Sequence, residues 1–121
     1  VSITAAAFPR WPGRRRSGAA RGSLSDQQGK RNAIGFLQRV RAQAEARGVT
    51  LVMENINSGH SGGPPAPPGS MFDHLPWGLD VVTQVNSSRV KLLPDLYHAQ
   101  LMDGNITNFL RNNIQWSRAG L

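Results

Sequence analysis

A helical stripe that ends on a glycine and runs directly into an apolar strand constrains this chain more than any other feature. Between Lys30 and Arg47, Ala33, Leu37, Val40 and Ala44 recur three or four residues apart. Ile34 and Phe36 widen the stripe, and Arg39, Arg41 and Glu45 fall mostly outside it. Gly48 suits the left-handed position just past a helix end, and Arg47 places a cation at the helix C-terminus. Val49-Thr50-Leu51-Val52-Met53 follows, a β-favouring run whose density fits a strand covered on both faces, as in a parallel sheet. Helix, glycine and strand make half of an α/β repeat.

The pattern then repeats. Phe72, Leu75, Leu79 and Val82 predict a second helix from about Met71 to Val85, with Ser70 as N-cap and Asp73 in the first turn. Pro76 marks either a later start or a bend. Arg89-Val90-Lys91-Leu92-Leu93 restores strand character and ends in Pro94-Asp95, where a proline is tolerated. Tyr97 to Met102 reads as a short helix closed by Gly104, and Ile106, Phe109 and Leu110 seed a last helix to roughly Asn113. Ile114 to Ser117 is expected to start a third strand. Residues 58–70, rich in Gly and Pro, form a long connection at the C-terminal end of the first strand, where α/β enzymes keep binding loops. Its glycines follow no phosphate-loop spacing, so no nucleotide site is assigned.

The formal net charge is +7, but it is unevenly placed. Residues 1–47 hold ten of the 14 basic side chains and two of the seven acids, so the remainder of the chain is nearly neutral. Residues 1–29 are read as an irregular, disordered basic segment, because Arg, Gly, Pro and Ser bury too little apolar surface to offset ordering. Arg10, Arg14, Arg15, Arg16 and Arg21 would attract phosphates without specificity, and Trp11 is the clear stacking candidate, so no specific nucleic-acid partner is expected. Residues 30–121 are read as one α/β domain. The chain has no cysteine, hence no disulfide framework or thiol nucleophile, and no apolar run long enough to span a membrane. No secretory pattern precedes the charges, and a cytoplasmic location is the expectation.

Two acids are the candidate site. Glu54 and Asp95 each follow a predicted strand, 41 residues apart, which suits neighbouring parallel strands opening on one C-terminal rim. A carboxylate pair there would suit Mg²⁺ or Mn²⁺, and one member would serve as a general base. His98, one helical turn after Asp95, adds a polar group, and Asn55 and Asn57 would orient the first acid or a substrate hydroxyl. The plain alternative is that the acids act as caps or loop hydrogen-bonders. His60, in the long loop, and His74, on the second helix, are read as structural.

The segments Leu51-Val-Met-Glu54-Asn-Ile-Asn57, Phe72-Asp-His-Leu-Pro-Trp77-Gly, Val85-Asn-Ser-Ser-Arg89-Val-Lys-Leu-Leu-Pro-Asp95-Leu-Tyr-His98-Ala-Gln-Leu-Met102-Asp-Gly-Asn and Asn112-Asn-Ile-Gln-Trp116 resemble the middle of the hydroxypyruvate isomerase family. That family belongs to the xylose-isomerase-like barrels, with ketose 3-epimerases and a DNA-repair endonuclease. The resemblance spans about residues 30–116 and implies an incomplete (β/α)₈ TIM barrel of two to three parallel strands with helices. It implies Glu54 as acid/base and first metal ligand, Asp95 as second ligand, and His98 as a substrate contact; Asn57 is added as substrate-binding from its position beside Glu54. The implied reaction is aldose–ketose isomerisation of hydroxypyruvate to 2-hydroxy-3-oxopropanoate through an enediolate, with a divalent ion and without nucleotide or redox cofactor.

A complete barrel takes about 250 residues. The family's remaining ligands would lie beyond Trp116, Pro94 stands where an aromatic or aliphatic residue is usual, and the Arg-rich 10–22 stretch is unlike an early barrel strand. These departures suggest a truncated or frame-disrupted reading of a longer gene. The alternatives are a ketose or sugar-phosphate epimerase of the same superfamily, or an inactive fragment with a polyanion-binding tail. Open sheet edges are expected to favour self-association.

Overall fold

The computed structural model describes residues 23–58 and 70–118. The basic segment through residue 22, its arginines and Trp11, and His60 with most of the long loop lie outside the described residues. The described chain runs α1 (Asp26–Ala46), β1 (Leu51–Glu54), α2 (Leu75–Val85), β2 (Val90–Leu93), α3 (Leu96–Met102), α4 (Ile106–Asn113) and a 3₁₀ turn (Ile114–Trp116).

Helix α1 begins at Asp26, inside the stretch whose composition reads as irregular. Its start is a reciprocal cap. The Gln28 backbone N–H donates to Ser25 Oγ at 3.3 Å, and the Ser25 N–H donates to Gln28 Oε1 at 3.0 Å. Its end is a Schellman motif built on Gly48 at φ +66°, where Gly48 N–H reaches the Glu45 carbonyl at 3.2 Å and Val49 N–H reaches Ala44 at 2.9 Å. A side chain at this φ would be strained, so the glycine turns the chain from helix into strand.

β1 and β2 pair in parallel, with Leu51 opposite Val90 and Glu54 opposite Leu93. Strand alternation sends Leu51 and Met53, with Val90 and Leu92, toward the helices. There they join Leu37, Phe72, Leu75, Trp77, Val81, Val82 and Val85 in one core. Val90 and Leu92 are fully buried. Val52, Glu54, Lys91 and Leu93 therefore share the opposite face. The Phe72 and Trp77 rings stack with centroids 5.9 Å apart, and an ion pair between Lys30 and Asp80 joins α1 to α2.

The structure corrects two further sequence expectations. The second helix starts at Leu75, with His74 and not Ser70 in the N-cap position, and Asp73 precedes it. Met71 and Phe72 are buried core residues at the end of the loop, and Pro76 is best accommodated in the first turn, where its missing N–H costs nothing. The Ser70 N–H is used by Ser58 Oγ at 3.1 Å, and Ser58 donates to Asp73 at 2.7 Å. Likewise, Ile114–Trp116 is a 3₁₀ turn, not a strand. Pairing starts one residue later, with a parallel bridge between Ser117 and Leu92 and an Arg118 N–H to Leu92 carbonyl bond of 2.7 Å. Lys91 holds the turn in place, donating to the Gln115 carbonyl at 2.7 Å with its ammonium 5.3 Å from the Trp116 ring centre. Among the described residues no helix is long and apolar enough to cross a membrane.

Candidate functional site

The C-terminal ends of β1 and β2 lie side by side. Glu54 closes β1 opposite Leu93, half-buried, on the face turned away from the helices. Asp95 follows β2 after Pro94 and serves as N-cap of α3, its Oδ1 accepting the His98 N–H at 3.1 Å. His98 Nε2 lies 3.8 Å from the other carboxylate oxygen, Oδ2. Both side chains are about one-third exposed, at 28% and 32% of their surface, so each can meet a ligand from solvent. The Tyr97 ring packs edge-on against the His98 imidazole, centroids 5.3 Å apart.

The two asparagines after Glu54 do not orient it. Asn55 turns inward and is fully buried, its Oδ1 accepting the Asp95 N–H at 2.8 Å and its Nδ2 donating to the Asp95 carbonyl at 3.3 Å. Asn57, also buried, places its Nδ2 2.6 Å from His98 Nδ1. A carboxamide nitrogen only donates, so Nδ1 is the acceptor in this arrangement. Asp95, His98 and Asn57 thus form one connected set. Glu54 joins it through strand pairing and through its neighbour Asn55.

Two carboxylates are hard oxygen donors suited to Mg²⁺ or Mn²⁺. Among the described residues, however, no three His, Cys, Asp or Glu side chains converge on one point. Glu54 and Asp95 therefore do not make a cage by themselves.

His74 sits at the start of α2 with its Nδ1 2.7 Å from Asp103 Oδ1, and the same carboxylate accepts the Leu75 N–H at 2.7 Å through Oδ2. Sequence reasoning missed this role of Asp103. The acid stands 28 positions from the helix it caps, and no local pattern announces such a contact. A cavity of about 400 Å³ lies beside it, between α2 and α4, lined among others by Pro76, Asn105, Asn108, Phe109 and Asn112. Glu54, Asp95 and His98 are not part of its lining.

No protein-family model matches the chain, and no curated protein does. Among solved structures it is similar to an AP endonuclease, family 2, from Brucella melitensis, with a TM-score of 0.69 and 26% sequence identity. The match covers 84% of this chain and 36% of that one, so the chain spans little more than a third of the barrel protein it resembles. The likeness does not single out the hydroxypyruvate isomerase branch. It places the chain in the xylose-isomerase-like superfamily, as an incomplete α/β TIM barrel of two parallel strands with their helices.

Proposed function

We propose that this chain supplies the β1/β2 sector of an active site that moves a proton between adjacent carbons of a short hydroxy-carbonyl compound, as an isomerase or epimerase of its superfamily does. The observation that carries the reading is that β1 ends on Glu54 beside Leu93 of β2, two residues before Asp95, whose carboxylate lies next to His98. Glu54 would act as the base, because its carboxylate makes no hydrogen bond or ion pair with another described residue. His98 would present Nε2 to a substrate oxygen, with Asn57 holding the imidazole at Nδ1 and Asp95 fixing the backbone of its turn. Glu54 and Asp95 are the residues that would take a divalent ion, as two of its ligands. Hydroxypyruvate, as the sequence resemblance suggests, and short ketoses or their phosphates are the candidate substrates. With two paired strands described, the sector holds part of such a site, and full turnover is not expected from it alone.

The test is a partial reaction. The chain in D₂O is given hydroxypyruvate or a ketose, with and without Mn²⁺, and deuterium uptake next to the carbonyl is followed by NMR. Uptake above the buffer rate that disappears in Glu54→Gln is expected. Equal uptake in wild type and E54Q overturns the reading.

A second reading draws on the likeness to the Brucella AP endonuclease. Metal-assisted cleavage of DNA at abasic sites would use the same carboxylates, and nicking of an abasic duplex lost in E54Q would favour it over proton transfer. The basic segment supplies a non-enzymatic alternative, retention on a polyanion matrix that is lost at high salt.

A further inference from the structure

We propose that Asn55 is the positioning residue of this site, holding the Asp95–His98 turn of β2 at a fixed offset from Glu54 on β1. The inference rests on the roles proposed above for those three residues. Asn55 is the polar member of the fully buried large side chains, the others being Leu75, Leu92, Val81, Val82, Val85 and Val90. Burying a carboxamide without partners is costly, and an apolar residue would fill the volume without that demand. Both ends of the amide are instead spent on a single residue, the oxygen on the Asp95 N–H and the nitrogen on the Asp95 carbonyl. The direction of the amide is fixed, since an N–H can only donate and a carbonyl can only accept.

A two-point grip sets orientation as well as distance. It holds the backbone of Asp95 at the point where the β1–β2 ladder has ended, beyond the last paired residues Glu54 and Leu93. From there the constraint passes outward. Asp95 Oδ1 takes the His98 N–H, and the His98 ring returns to Asn57 on the same outgoing segment of β1. Residues 54 to 57 thus carry one functional carboxylate and both of the amides that place its partners. This is the arrangement a proton-transfer site needs, because errors of about 0.5 Å in the supporting groups are enough to spoil it.

The experiment is amide hydrogen exchange and imidazole NMR on the full chain, for wild type, Asn55→Ala and Asn55→Asp. In N55A the Asp95 and His98 amides are expected to exchange roughly tenfold faster, reflecting two lost hydrogen bonds. The His98 ring signals should move, while amides within β1 and β2 keep their protection. N55D retains an oxygen for the Asp95 N–H but sets a second one against the Asp95 carbonyl. It should restore most of the Asp95 protection and still displace the ring signals. Wild-type exchange at Asp95 and His98 in N55A overturns the proposal, as does an equal loss of protection throughout both strands, which would make Asn55 a core pin only. Should N55A fail to fold, unmoved His98 ring signals in N55D overturn it. Failure of the deuterium-uptake test with these signals behaving as expected removes the proposed reaction and leaves the positioning role standing.

Discussion

Asp95 Oδ1 accepts the backbone N–H of His98 at 3.1 Å, so one carboxylate both faces the proposed site and starts α3. The two roles separate by substitution. Asn caps a helix about as well as Asp, whereas Ala costs about 1 kcal/mol at such a position. D95N should therefore unfold within about 0.5 kcal/mol of wild type, within the spread for equivalent caps, and lose Glu54-dependent deuterium uptake. D95A should lose both stability and uptake. Thermal unfolding by circular dichroism beside the exchange assay checks this.

Gly78 and Gly29 should respond unequally to alanine, although both lie inside helices. A Cβ on Gly78 would run into the Phe72 ring, which is stacked on Trp77, and would come within 3.0 Å of Leu92 Cδ2. Overpacking of this kind costs about 1–3 kcal/mol and outweighs the helix propensity gained. A Cβ on Gly29 would meet the terminal methyl of Met71, the far end of a flexible side chain. G29A is expected to be close to neutral and G78A clearly destabilised, read from denaturant midpoints at unchanged slope.

Removing the remote cap should destabilise α2 from outside. D103A leaves the Leu75 N–H without its acceptor and is expected to cost about 1 kcal/mol, in the range of ordinary N-caps. D103N should recover most of that loss, because the partly exposed His74 contact contributes little. Denaturant midpoints of the two variants against wild type decide it.

Leu92 is fully buried where β2 meets Phe72 and α2, and Leu92→Ala should cost about 2–5 kcal/mol. In a domain of this size that is a large share of total stability. A broad, non-cooperative thermal profile for L92A is the expected outcome.

The sheet's pairing potential leads to the last expectation. With β1 paired to β2 alone among the described residues, self-association should raise the unfolding midpoint as protein concentration increases. Midpoints independent of concentration would exclude it.

Local signals made the strands and helices readable. Gly48 fixes the α1–β1 corner, β2 falls within its apolar run, and β1 overlaps the first run but starts two residues later and ends one later, on Glu54. The capping box at Ser25 and Gln28 was visible in principle, but Arg/Gly-rich composition upstream masked it and placed the helix start four residues late. The strand read at Ile114–Ser117 failed because β-favouring side chains do not reveal that α4 continues into a tighter turn. Spacing singled out Glu54, Asp95 and His98 as candidates, and the roles given to them remain those of the proposal above. The work of Asn55, Asn57 and Asp103 was illegible because each acts on a backbone or ring 28 to 41 positions away.

That distance has a consequence for synthesis. The first turn of α2 depends on a carboxylate that leaves the ribosome 28 residues after Leu75, so the nascent helix emerges with its leading amide open. The helix would gain its remote cap only once α3 has followed it out. Completion of the unit would therefore proceed backwards along the chain, the later helix sealing the earlier one.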